Sequence, residues 1–211
     1  MPAPLQLTSE SLARGVRLLI RQDRDLAEIV RRYGPPPMWA RRPGFATLIH
    51  IILEQQVSLA SARAAFTRLQ AAIAPITPRR FLSLDDERLK EIGFSRQKTG
   101  YARHLANAIL ERRFNPKSLE TMDDEAVRAA LVELKGIGRW TADIYLLMCL
   151  RRPDVWPDGD LALAAAAQHV KRLPVRPAPD ELRVLAERWQ PWRAVAARLL
   201  WHFYLSQKRY N

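Results

Sequence analysis

Leu134-Lys135-Gly136-Ile137-Gly138-Arg139-Trp140-Thr141-Ala142 is the stretch on which the reading of this 211-residue chain turns. Apolar residues of a helical stripe precede it (Leu131, Leu134), and an apolar helix follows it (Ile144, Tyr145, Leu147, Met148). Two of only eight glycines fall inside it. The pattern predicts helix, tight glycine turn, helix, because glycine accepts positive φ and lets another backbone come close. The second helix opens with N–H groups that lack an intrahelical partner, and its dipole favours an anion there. Lys135 and Arg139 add positive charge beside that end, and Gly136, Ile137, Gly138 and Thr141 complete the candidate contact. So the stretch reads as a clamp for a nucleic-acid backbone, indifferent to base sequence. An ordinary helix C-cap followed by another helix is the alternative for a lone Gly-x-Gly.

Outward from the hairpin the chain is helical. It has 29 Leu and 29 Ala against 10 Val and 11 Ile, so helix formers far outnumber β-branched residues. Leu12, Val16, Leu19 and Ile20 form one helical stripe; Leu48, Ile51, Ile52 and Gln55 form another; Ala102, Leu105, Ala106 and Ile109 form a third. Prolines punctuate the segments. The expected helices, eleven in all, lie near 8–21, 24–33, 43–55, 58–74, 85–92, 95–112, 123–133, 137–150, 160–169, 179–188 and 191–207. Thr121 to Glu125 supplies an N-cap and first-turn acids, and Pro191 suits a first helical position. No strand alternation, repeat or low-complexity tract is visible.

Charge and cysteine content narrow the function. With 34 Lys and Arg against 22 Asp and Glu, the chain carries +12, and its pI is about 10.6. That balance favours polyanions, nucleic acid first among them. Cys149 is the only cysteine, which excludes a disulfide scaffold and a Cys-ligated iron–sulfur cluster. The purest apolar run, Ile144 to Leu150, is too short to cross a membrane. The N-terminus lacks the regions of a signal peptide. A cytoplasmic, DNA-associated protein is expected.

The LKGIGRWTA segment resembles the hairpin of the helix–hairpin–helix (HhH-GPD) DNA glycosylases. That family places an aspartate about twenty residues downstream, and Asp160 stands twenty residues after Trp140. The block Asp154 to Leu163, with Trp189-Gln190-Pro191-Trp192-Arg193 and Trp201, is similar to the 3-methyladenine DNA glycosylase II (AlkA-like) branch. The resemblance runs from about residue 43 to 205. It implies an all-α, two-lobed fold around a DNA-binding cleft. One lobe is about 43–150, ending in the helix–hairpin–helix at 123–150. The other joins about 8–33 to 160–207.

The resemblance also implies roles. Asp160 becomes the catalytic carboxylate, which would stabilise positive charge on the sugar and position or deprotonate a water. Its alternative is a plain N-cap, and Asp158, expected to face solvent, is the rival carboxylate. Trp140 stands where strand-cutting relatives carry a Schiff-base lysine, so a monofunctional enzyme without AP-lyase activity is expected. Trp140, Trp201 and Tyr145 are the base-pocket candidates, since indole faces attract a cationic base. Trp39, Trp156, Trp189 and Trp192 are expected in the core. A flipped nucleotide leaves a gap, and the wedge position falls on Gln56, with Ser58 able to cap the next helix instead. Arg96 and Lys98, after Ser95, are candidate phosphate contacts.

The carbonyls of Val132, Leu134 and Ile137 match those that hold a structural Na+ or K+ in the family; no other cofactor is expected. The N-terminal β domain of larger members is expected to be absent, and Ile144 is expected at the position that matches a pocket tyrosine. The expected partner is double-stranded DNA with damaged bases of the 3-methyladenine or 7-methylguanine type, bound by a monomer. A non-catalytic helix–hairpin–helix DNA-binding module is the alternative, and an all-helical protein-interaction domain is a third reading.

Overall fold

The computed structural model describes residues 5–210, with side chains to residue 207. The helices, in chain order, are α1 (Ser9–Gln22), α2 (Arg24–Tyr33), α3 (Phe45–Glu54), α4 (Leu59–Ile73), α5 (Pro78–Leu82), α6 (Asp86–Ile92) and α7 (Arg96–Leu110). A 3₁₀ turn (Ser118–Glu120) follows, then α8 (Asp124–Val132), α9 (Arg139–Met148), α10 (Leu161–Val170), α11 (Pro179–Glu187) and α12 (Arg193–Tyr210). No strand occurs among the described residues. The all-α expectation therefore holds, and most helix ends fall within a few residues of it.

The ends are set by local chemistry. Asp123 accepts the Ala126 N–H at 2.8 Å and caps α8. Ser58 and Ser95 cap α4 and α7 in the same way. One expectation fails, and one helix is not foreseen. Pro191 is not a first helical residue: it follows a cis peptide bond in a turn, and α12 starts at Arg193. The short α5 escapes a sequence reading because Pro78 looks like punctuation; in fact it occupies the first turn, where its missing N–H costs nothing.

The described residues fall into two compact units. The first spans Arg41–Tyr145. Its centre is α3, whose Leu48, Ile49, Ile51 and Ile52 are fully buried. α4 and α7 pack on α3, and α5 packs on α7. Phe45 and Phe81 meet edge to face at 6.0 Å, and Phe94 lies tilted against Phe81 at 5.5 Å. Burying each large side chain of this cluster contributes about 1.5–3 kcal/mol before entropy is counted.

The second unit combines residues 5–40 with 146–210. α10, α2 and α1 pack on α12, which buries every residue from Ala194 to Trp201. Gly15 is glycine because Trp192 lies on it: a Cβ there would meet Trp192 Cε3 at 2.8 Å. Arg198 is buried among apolar neighbours, and burial lowers its pKa to about 10. Its guanidinium donates to the carbonyls of Met38, Ala194 and Leu147 at 2.7–2.9 Å, so its hydrogen-bonding needs are met inside.

Candidate nucleic-acid interface and catalytic carboxylate

In the first unit, α8 ends at Val132, the chain turns through residues 133–138, and α9 begins at Arg139. Leu134 and Ile137 are buried and anchor the turn from below. The Ile137 N–H donates to the Leu134 carbonyl at 3.0 Å, and Ala142 N–H opens the α9 ladder on the Gly138 carbonyl at 3.0 Å. Lys135, Gly138 and Arg139 are exposed. Arg139 stays 4.0 Å from Glu125, a loose pair between two exposed side chains.

The two glycines differ in what they need. Gly136 has φ +85, and a Cβ would lie 2.1 Å from Tyr101 Cγ. The Tyr101 ring fills the space under the turn, so only glycine fits. Gly138 is not left-handed, and a Cβ there would meet nothing within 4 Å. Nothing inside the chain requires glycine at 138.

Three side chains brace the hairpin. Gln55 Nε2 donates to the Gly136 carbonyl at 2.9 Å and to Thr141 Oγ1 at 3.1 Å. Arg128 Nε donates to Asp143 Oδ1 at 2.6 Å and ties α8 to α9. Burial lowers the Arg128 pKa, but the bond to Asp143 and the charges of Asp143, Glu125 and Asp124 together outweigh it, and the net shift is upward. Thr141 is thus corrected: its side chain is buried and its hydroxyl serves Gln55, because the residue faces inward on α9. In sequence Gln55 is only the polar end of an apolar stripe; a lone glutamine closing such a helix is the available signal. Tyr101 leaves none.

The turn between α3 and α4 carries Gln56, exposed and held at φ +54, an uncommon conformation for a residue with a side chain. Ser58 does cap α4, so the helix-terminus reading of this turn is realised alongside the protruding Gln56. At the first position of α7, Arg96 is exposed. Lys98 is half-buried: its ammonium donates to the Leu53 carbonyl at 2.7 Å, at the end of α3, and burial lowers its pKa. That bond satisfies an orphan helix carbonyl.

In the second unit, Asp160 is the N-cap of α10. Its Oδ1 accepts the Leu163 N–H at 2.8 Å and the Trp201 indole N–H at 3.2 Å. Asp160 and Trp201 are both buried. The N-cap reading is therefore realised, and the same carboxylate is aligned by an indole from α12. Asp158 does not face solvent as expected. Its side chain is 23% exposed and lies 3.9 Å from Arg183. Just before it, Asp154 accepts two bonds from the Arg193 guanidinium, at 3.0 and 2.9 Å, and one from the Arg193 N–H, which fixes the start of α12.

Of the six tryptophans, Trp156 and Trp189 are core, with rings 5.6 Å apart, as expected. Trp39 and Trp192 are only half-buried, a departure from the core expectation. Trp140 is half-buried near the start of α9. Tyr145 is fully buried, and its hydroxyl accepts the Gly44 N–H at 3.0 Å, so it fixes the entry to α3 and offers no open ring face. Ile144 is buried as well.

A model of the HhH-GPD superfamily of base excision DNA repair proteins matches residues 49–193, and the chain belongs to that family. It is 29% identical over 180 residues to DNA-3-methyladenine glycosylase 1 of Schizosaccharomyces pombe, covering 83% of this chain and 79% of that one. It is 30% identical over 190 residues to DNA-3-methyladenine glycosylase 2 of Escherichia coli, covering 81% of this chain and 63% of that one. The solved structure of the S. pombe 3-methyladenine DNA glycosylase in complex with abasic DNA superposes with a TM-score of 0.82 at 27% identity. That match covers 89% of this chain and 95% of the other.

Proposed function

We propose that this protein is a DNA glycosylase of base excision repair that releases alkylated purines by hydrolysis. The observation that carries the reading is Asp160, a buried carboxylate whose Oδ1 is fixed by the Leu163 N–H and the Trp201 indole. Family membership and the named glycosylase relatives support it.

The chemistry follows from the groups at hand. Alkylation at a ring nitrogen makes the purine cationic, so it leaves readily with the electrons of the N-glycosidic bond. Positive charge then builds on the sugar. The Asp160 carboxylate stabilises that charge and orients a water, which adds at C1′ and gives up a proton; the products are the free base and an abasic site. An indole face attracts a cationic base: Trp140, half-buried near the start of α9, is one candidate, and Trp201, beside Asp160, is another. Trp140 cannot form a Schiff base, so the strand is left uncut.

Holding the DNA is the hairpin's part. Gly138 leaves room for a phosphate against the start of α9, and Lys135 and Arg139 supply charge. Arg96 adds a further contact and Gln56 fills the gap left by the flipped nucleotide. The carbonyls of Val132, Leu134 and Ile137 suit a hard monovalent cation. The Leu134 oxygen accepts the Ile137 N–H and keeps a second lone pair for it. The enzyme acts as a monomer on double-stranded DNA.

Two variants test the assignment. Asp160→Asn should lower base release by about 10²–10³. It should leave stability almost unchanged, because Asn caps a helix as well as Asp does. Asp158→Asn should release bases at close to the wild-type rate. Wild-type release by Asp160→Asn would remove Asp160 from catalysis.

A further inference from the structure

The hairpin uses only a small part of the +12 charge, and a second basic feature lies in the other unit. α1 buries Leu12, Gly15, Val16 and Leu19. Arg14, Arg17 and Arg21 sit at i, i+3 and i+7, on the opposite side, and all three are exposed. Arg24, the first residue of α2, is exposed as well.

Internal ion pairs do not explain this ridge. Glu10 precedes Arg14 by four residues, yet no ion pair joins them among the described residues. The other nearby acids are committed elsewhere. Asp23 and Asp25 hold Lys171 at 2.6 and 2.9 Å. Asp23 also accepts the Trp189 indole N–H at 3.0 Å. Glu28 holds Arg31 and Arg32.

Helix electrostatics do not explain it either. Like charges at i, i+3 and i, i+4 repel, so Arg14, Arg17 and Arg21 weaken α1. The C-terminal dipole favours Arg21 but does nothing for Arg14 and Arg17, and the dipole of α2 opposes Arg24 at its first position. This arrangement costs the isolated chain stability and gains only when an anion lies along it.

We infer that Arg14, Arg17 and Arg21 form a second track for DNA phosphates, independent of the hairpin and of base sequence. The dimensions suit a nucleic-acid strand. Arg14 to Arg21 spans about 10 Å of helix axis, and one strand presents a phosphate about every 3.4 Å of duplex axis. Guanidinium groups also match phosphate geometry better than ammonium groups do. The track holds the enzyme on undamaged DNA during search and takes no part in bond cleavage. It rests on the glycosylase reading only in naming DNA as the polyanion.

The test compares the full wild-type chain with the triple variant Arg14→Gln, Arg17→Gln, Arg21→Gln. Binding to a long undamaged duplex is measured across a salt series. The slope of log affinity against log salt should become shallower by about 2–3, because each phosphate that an arginine neutralises adds about 0.9 to it. Melting temperature should stay level or rise, and base release from a short damaged duplex at saturating enzyme should not change. Arg31→Gln with Arg32→Gln, whose partners are internal, should leave the slope alone. An unchanged slope in the triple variant, or its failure to fold, would overturn the inference. So would equal, ridge-dependent binding of poly-glutamate, which would mark an acidic-protein surface. Loss of base release in the wild type with the slope difference intact would sink the glycosylase reading and leave the ridge standing.

Discussion

Gly136 and Gly138 share a turn and a residue type, but for different reasons, and substitution separates them. Gly136→Ala drives a Cβ into the Tyr101 ring at a positive φ. It should cost about 2–4 kcal/mol, read as a fall in thermal midpoint. Gly138→Ala meets open space. Stability should hold or rise by about 0.4–1 kcal/mol, because alanine restricts the unfolded chain. DNA affinity should nevertheless fall by about tenfold or more, about 1.4 kcal/mol, since the methyl group occupies the approach of the phosphate. A Gly138→Ala protein that binds DNA like wild type would remove the hairpin from the interface. The sequence signals two glycines but not this division, because the Tyr101 ring that decides it comes from α7, with no mark in the local pattern.

At the scale of elements, the turn after α3 and the hairpin before α9 are one mechanical piece, joined by Gln55. Gln55→Leu strips a donor from the Gly136 carbonyl and the Thr141 hydroxyl. The expected cost is about 1–2 kcal/mol of stability. DNA affinity should fall with it, because the hairpin and the neighbouring Gln56 lose their common support. A drop in stability with unchanged DNA binding would show Gln55 to be structural only.

The helices themselves are legible because their stripes and caps are local: Leu12 to Ile20, Asp123, Ser58 and Ser95 all announce themselves in sequence. What is not legible depends on distant packing. Lys98 has the sequence of a phosphate contact, but the Leu53 carbonyl forty-five residues earlier takes its ammonium. Tyr145 has the sequence of a pocket ring, but its hydroxyl is held on Gly44. Asp160 stands out in the sequence only through the resemblance to the glycosylase family, which places an aspartate at that distance from Trp140; its hydrogen bond from Trp201, forty-one residues away, leaves no mark there.

For the whole molecule, acid stability carries a signature of its own. His50 stacks on Phe66 at 4.2 Å. Burial lowers its pKa below 6.5; Glu54 pulls it up, and Arg41 and Arg63 push it further down. The folded pKa is thus below the unfolded one. The resulting stabilisation is present above about 6.5 and is lost as pH falls through the folded value. Between about pH 7 and pH 5, the melting temperature of wild type should fall more steeply than that of His50→Gln. Parallel curves would show that His50 does not titrate on unfolding.

No helix of the described residues is long and apolar enough to cross a membrane, and the net charge of +12 finds its outlet in DNA. The proposed activity adds Asp160, as the catalytic carboxylate, to that DNA binding. The most direct test incubates the purified protein with methylated duplex DNA and identifies the released bases by mass spectrometry, with borohydride present in a parallel reaction. Free 3-methyladenine or 7-methylguanine should appear, Asp160→Asn should release almost none, and no protein–DNA adduct should form. DNA binding without any released base would contradict the account and leave a helix–hairpin–helix binding module in its place.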